Sequence, residues 1–218
     1  ISKYLKINFI LRSKNFLYST ESNYFVDYIH NHAFKIYQTD NCFFQPNKFI
    51  LPKMINTVIS LINNPKDLLE LYCGVGTFTL PLSKVFIKIL ATENDRNSIK
   101  CLNKAIIDNN INNISNSRLS SSEVAELFLG KTFRRMGDIK LSDYNFSHVL
   151  VDPPRSGLDD KTIEIIKKFK NIIYISCNPE TYISNIRSIT SHNVKYVELF
   201  DQFPNTDHLE IISLLSAK

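Results

Sequence analysis

Ser176-Cys177-Asn178-Pro179 follows directly on the apolar run at residues 171–175. A thiol is thereby set where a buried strand ends and a helix begins, with Asn178 as N-cap and Pro179 as first helical residue. Facing the positive end of a helix, such a thiol has a lowered pKa and becomes a nucleophile. The competing reading of any single cysteine is an inert, buried side chain. Asp152 closes a second apolar run, residues 146–151, and is followed by Pro153, Pro154 and Arg155. Ligands of open parallel sheets bind at the carboxyl ends of strands, where Asp152 falls. Two prolines fix an extended, donor-free chain that can wall a planar group or simply turn into the next helix. Arg155 suits a phosphate or carboxylate, or plain solvent. Glu210 opens an apolar strand at residues 209–215. Burial there would raise its pKa towards that of a general base, whereas an edge position would leave it exposed. His208 reads as structural.

A further turn, Tyr72-Cys73-Gly74-Val75-Gly76-Thr77, joins a strand to a helix. Its two glycines let the backbone approach a ligand closely, or merely form a tight turn. The third glycine of the dinucleotide fingerprint is absent, with Leu80 near its place. Glu93 ends the next strand, where an acid can bind both hydroxyls of a ribose. This pair suits a nucleoside cofactor without a pyrophosphate better than a dinucleotide. Gln45-Pro46-Asn47 precedes the first long helix, and its amides can contact a polar ligand or, for Asn47, cap the helix.

The elements that must position these groups alternate. Helical spacing covers residues 49–62, 78–85, 95–109, 122–129, 159–169 and 180–189; strands cover 67–72, 87–92, 114–119, 146–151 and 172–176. Residues 131–144 read as a loop. The last two strands, 194–200 and 209–215, have no helix between them and should form an antiparallel hairpin with one reversed strand at an edge. The pattern predicts an α/β fold with a mostly parallel sheet covered on both faces. Residues 1–43 differ: short aromatic and β-branched pieces at 5–10, 24–28 and 34–37 predict a small β segment in front.

Composition sets the outer bounds. The 218 residues, 44% hydrophobic and 22% charged, suit one domain with a small appendage. No apolar run is long enough for a membrane span. The four cysteines form neither a metal-type pair nor a disulfide pattern, which favours a reduced, cytoplasmic protein. The chain opens on Ile1, so upstream sequence is expected to be missing. A net charge of +5 permits an anionic partner such as RNA without requiring one.

Five segments occur in the order found in the RNA uracil-5 methyltransferases: residues 44–47 (FQPN), 69–76 (LELYCGVG), 152–159 (DPPRSGLD), 174–181 (YISCNPET) and 200–204 (FDQFP). The chain resembles that family from about Gln45 to its end, and its tRNA branch most of all. The resemblance implies a Rossmann-like class I methyltransferase fold, S-adenosylmethionine as methyl donor, no metal, and uracil carbon 5 in the T loop of tRNA as target. It assigns the nucleophile to Cys177, the proton acceptor to Glu210, and cofactor contacts to Gln45, Tyr72, Thr77, Glu93 and Asp152. It also divides the chain into a remnant of an N-terminal RNA-binding region, 1–43, and a catalytic domain, 44–218; the oligomeric state is left open, with a monomer favoured. The chain departs from the pattern at Val75 and Thr77, where the tRNA branch usually carries asparagines, and at Asp207, where a histidine is common. A uridine of rRNA as target, a non-catalytic RNA-binding fragment, and a nicotinamide-dependent oxidoreductase are the competing functions.

Overall fold

A computed structural model describes every residue except 1–3, 5, 6, 15, 32 and 207. The front segment forms two hairpins, β1 (Ile10–Ser13) with β2 (Phe16–Ser19) and β3 (Phe25–Ile29) with β4 (Phe34–Gln38). Of the expected strand at 5–10, the described part supplies only Ile10, the first residue of β1. Leu5 and Lys6 lie outside the described residues, and pairing begins only at Ile10. The signal was hidden because Leu11, Phe16, Leu17 and Tyr18 are exposed, so no buried alternation marks this hairpin. In the second hairpin, Ile29, Phe34, Ile36 and Tyr37 are buried in the same core as the main sheet.

The main unit alternates as its sequence pattern requires: α1 (Leu51–Ser60), β5 (Asp67–Leu71), α2 (Thr79–Leu82), β6 (Lys88–Thr92), α3 (Arg96–Asp108), β7 (Ile114–Ser117), α4 (Ser121–Phe128), β8 (Phe146–Val151), α5 (Asp160–Ile166), β9 (Asn171–Ser176), α6 (Pro179–Ser188), β10 (His192–Phe200) and β11 (Glu210–Ala217). Local chemistry sets several starts: Asp95 caps α3, Ser120 and Glu123 form a capping box on α4, Asp159 caps α5, and Asn178 caps α6 with Pro179 behind it. The seven strands run in the order β10-β11-β9-β8-β5-β6-β7. Neighbours from β9 to β7 are parallel, whereas β11 is antiparallel to both β9 and β10. The reversed strand therefore lies one place in from the edge and not at it. Leu214 and Leu215 are buried, while β10 exposes Val194, Tyr196, Val197 and Leu199. The more apolar strand takes the inner position, and the less buried one takes the edge.

Alternating side chains divide the core between the two faces. Leu68, Ile89, Ala91, Leu150, Ile173 and Ile175 pack with α1, α2 and α3. Leu69, Leu71, Leu90, Val149, Val151, Ile172 and Tyr174 pack with α4, α5 and α6. Among the described residues no helix is long and apolar enough to cross a membrane. Gly76, with φ +97°, is one point where the faces allow no additional atom. A Cβ there would lie 2.6 Å from Leu102 Cδ1 and 3.4 Å from Leu80 Cγ. Gly76→Ala is accordingly expected to destabilise the fold by about 2–4 kcal/mol, through overpacking plus backbone strain. Denaturant unfolding checks this, and a change under 0.5 kcal/mol would mean that the turn relaxes freely.

Candidate active site

Every parallel strand from β9 to β6 delivers a polar group to the same rim of the sheet. Tyr72 and Gly74 follow β5, Glu93 follows β6, Asp152 follows β8, and Cys177 follows β9. Since β11 runs the other way, its first residue arrives at that rim as well, with Ile211 opposite Ser176. A cavity of about 710 Å³ opens there, and Gln45, Tyr72, Thr77, Glu93, Asp152, Cys177 and Glu210 all line it. The seven residues selected from the sequence thus share one cavity. Pro153, Pro154, Arg155, Phe203 and His208 line it too.

The Gly74 turn is shaped for a ligand on one side only. A Cβ on Gly74 would meet nothing within 4 Å, while Gly76 serves packing against Leu102. Tyr72 takes the left-handed conformation, φ +60°, a strained arrangement for a large side chain. Its hydroxyl donates to Ser121 Oγ at 2.6 Å, which steadies the ring at the wall. Glu93 is fixed by two backbone donors: Gly74 N–H at 3.1 Å and Asp95 N–H at 2.8 Å. A carboxylate held in this way has lone pairs left for ligand hydroxyls.

The segment carrying Asp152 and Arg155 is clamped to the helix that follows Cys177. Asn178 and Thr181 both donate to the Arg155 carbonyl, at 3.1 and 3.3 Å. One turn on, the buried Asn185 accepts from Leu158 N–H at 2.9 Å and from the Tyr174 hydroxyl at 2.7 Å, and donates back to Leu158 O. Residues 178, 181 and 185 share one face of α6, so one helix face locks two cavity walls together. Gly157 has φ +76°, and an added Cβ would lie 2.6 Å from Asn185 Oδ1. Arg155 in turn approaches the His208 ring, Nη2 to Nδ1 2.6 Å.

On the opposite wall lies a chain of buried amides. Gln202 donates to Gln45 Oε1, and Gln45 Nε2 reaches Asp152 Oδ2 at 3.5 Å. Asn47 fills neither role weighed for it: α1 is capped at Ile50 without a side-chain bond, and Asn47 instead ties its own turn together, its Oδ1 accepting from Phe49 and Ile50 N–H and its Nδ2 donating to Gln202 O.

Electrostatically the cavity is short of positive charge. Burial pushes Glu210 up to about 7, partly opposed by a hydrogen bond from Gln202. Burial also lifts Glu70 to about 8. Asp152 is raised well above the usual carboxylate range by burial and by its neighbours Glu210 and Glu70. Cys177 departs from the sequence-based expectation: burial and the fields of Glu210 and Asp152 raise its pKa, outweighing its own backbone N–H and Arg155. The helix terminus is present, but desolvation and two carboxyls win.

Glu70 and Gln202 were not singled out from the sequence. An acid inside a strand buried at all five positions was the available signal for Glu70; Gln202 was marked only as part of the FDQFP segment, with no role given to it. Glu70 Oε2 and Gln202 Oε1 are buried without a hydrogen-bond partner. Of the two only Glu70 lines the cavity, and an unpaired buried acid beside other carboxyl groups matches a ligand bearing positive charge and donors. Glu93 suits a ribose, and the open side of Gly74 suits close approach. Among the described residues no cluster of His, Cys, Asp and Glu is arranged to hold a metal ion.

Alkylation of Cys177 by iodoacetamide should have a pH midpoint above that of an ordinary, solvent-exposed cysteine. Removing the negative charge of one neighbour favours the thiolate, so Glu210→Gln should shift that midpoint downward. Mass-spectrometric rates across pH check this, and an unmoved or raised midpoint would remove Glu210 from the field at the thiol.

Residues 1–218 match the model of a family described as tRNA (Uracil-5-)-methyltransferase. A tRNA/tmRNA (uracil-C(5))-methyltransferase of Campylobacter concisus is 50% identical over 187 residues, covering 85% of this chain and 51% of that one. The protein of the same name from Campylobacter jejuni is 46% identical over 222 residues, covering 99% and 62%. The chain thus spans roughly half to three-fifths of the curated relatives' length. Among solved structures, the Pyrococcus abyssi tRNA (uracil-54, C5)-methyltransferase in complex with S-adenosyl-L-homocysteine superposes with a TM-score of 0.75 at 23% identity, covering 94% of this chain and 48% of that one. That likeness shows the shared fold.

Proposed function

Since this chain belongs to the tRNA (uracil-5-)-methyltransferase family, we propose that it methylates carbon 5 of a uracil in the T loop of tRNA, using S-adenosylmethionine. The observation carrying this reading is the convergence of Cys177 and Glu210 on one cavity with Gln45, Tyr72, Thr77, Glu93 and Asp152. In this reading Glu93 takes the ribose hydroxyls, Tyr72 flanks the nucleoside, and Asp152, Gln45 and Thr77 hold the amino-acid end. When bound, S-adenosylmethionine supplies an electrophilic methyl group. Residues 44–218 form the catalytic unit and residues 1–43 the tail of an RNA-binding region, in a cytoplasmic protein.

Uracil carbon 5 is too weak a nucleophile to be methylated directly. The Cys177 sulfur adds to carbon 6, and carbon 5 gains enolate character. Once carbon 5 has formed its bond to the methyl group, Glu210 takes the proton left on that carbon, and elimination returns the Cys177 thiolate. Its raised pKa gives Glu210 a suitable affinity for that proton near neutral pH. Cys177 starts as a thiol and releases its proton once positive charge in the cavity offsets Asp152 and Glu210. The target base must leave its stack to reach the cavity.

Cys177→Ala should abolish methyl transfer while leaving binding of S-adenosylhomocysteine within about twofold, measured by calorimetry and tritium transfer. Residual turnover near that of the unsubstituted protein would exclude the nucleophile. Glu210→Gln should slow turnover by about 10²–10⁴-fold and let a covalent protein–RNA adduct accumulate on denaturing gels. Fast turnover without adduct would exclude the base. Labelled S-adenosylmethionine with tRNA lacking ribothymidine, run beside rRNA fragments, tests the substrate: label confined to rRNA would overturn the tRNA assignment.

A further inference from the structure

Two cysteines that the proposed chemistry does not use lie in contact. The sulfurs of Cys42 and Cys101 are 3.9 Å apart. Cys101 is fully buried on α3, and Cys42 is half-buried in the connection between β4 and α1. Both supports belong to the cavity wall. The Cys42 segment contributes Asn41, Phe43 and Gln45, and α3 contributes Ser98 with its N-cap Asp95. Cys101 follows Ser98 by three residues, on the same face of the helix. Cys42 is held near its partner by a turn, its N–H donating to Thr39 O at 3.1 Å, with Thr39 Oγ1 3.2 Å from its sulfur. The remaining thiols, Cys73 and Cys177, lie along the cavity.

We propose that Cys42 and Cys101 form a reversible redox pair, oxidised by peroxide to a disulfide that staples this segment to α3 and distorts the cofactor wall. The partly accessible Cys42 reacts first. Its thiolate attacks the peroxide O–O bond, yielding a sulfenic acid and hydroxide, which becomes water with the proton the thiol lost. The Cys101 sulfur then displaces oxygen from the Cys42 sulfur: the S–S bond forms, the S–O bond breaks, and the Cys101 proton leaves with that oxygen as a second water. Two thiols are oxidised and one peroxide is reduced. A thiol pair restores the reduced form by exchange. Closure brings the sulfurs from 3.9 Å to about 2.0 Å. Cys101 sits on a packed helix, so the loop must make most of that movement, and Asn41, Phe43 and Gln45 move with it. Binding sites tolerate displacements of only about 0.5 Å.

The link between oxidation and cofactor affinity rests on the function proposed above; the cross-link itself does not. The full chain is treated with a few equivalents of hydrogen peroxide and digested without reduction, beside Cys42→Ser treated alike. The expected result is a peptide pair joined through Cys42 and Cys101, 2 Da lighter than the sum of its thiol forms, lost with dithiothreitol and absent from the variant. Recovery of Cys42 and Cys101 only as free or separately oxidised residues would overturn the pair. Calorimetry with S-adenosylhomocysteine should show about tenfold weaker binding after oxidation, restored by reductant, and no such shift attributable to Cys42 in the variant, where any loss from Cys177 oxidation persists. Equal affinity of the cross-linked and reduced protein would overturn the coupling. Failure of the reduced protein to bind this ligand at all would instead overturn the proposed function and leave the cross-link standing.

Discussion

The site depends on the register between β11 and β9. Ile211 pairs with Ser176, the residue before Cys177, and Glu210 is the residue before Ile211. An antiparallel strand begins where its parallel neighbour ends, so reversal of one strand is what sets a carboxyl beside a thiol. A slip of one residue would turn Glu210 to the other face of the sheet and strip the cavity of it. The register is protected by burial: Ile212 faces one core and Ile211 and Leu215 the other. On its far side β11 is held by β10, with Glu210 opposite Phe200.

Around that pair the molecule concentrates carboxyl groups in a poorly solvated space. Glu70, Asp152 and Glu210 share the cavity, and Arg155 supplies positive charge from its exposed mouth. Such an arrangement is costly while the groups are charged and unpaired, so they hold protons more tightly than usual. The same field suppresses the Cys177 thiolate. A cationic ligand would relieve both conditions together, and in the function proposed above this ties thiolate formation at Cys177 to occupancy of the neighbouring site. Rigidity comes from the amide clamp on α6 and from the Gln45–Gln202 contact, which join segments far apart in sequence.

Much of this was legible in the sequence, because the strand–helix alternation and the residues at strand ends are local features. Strand-terminal acids and the thiol could be located from apolar runs alone, and the ordered motifs joined them into a family. Three matters were not legible. The position of β11 inside the sheet depends on a tertiary competition between two apolar strands. The pKa of Cys177 is set by burial and then by Glu210 and Asp152, which are remote in sequence, and together these outweigh a helix terminus that local reading could see. The β1–β2 hairpin exposes its apolar residues, so it lacks the alternation by which strands are recognised.

The central claim, that sulfur and carboxyl act on one flipped uracil in this cavity, is tested most directly with a T-loop RNA carrying 5-fluorouridine at the target position. Fluorine cannot be removed as a proton, so reaction with S-adenosylmethionine should stop at a methylated adduct on the protein. Mass spectrometry of digested protein should place that adduct on Cys177. An adduct on another residue, or complete absence of one from a preparation that methylates ordinary tRNA, would contradict the account.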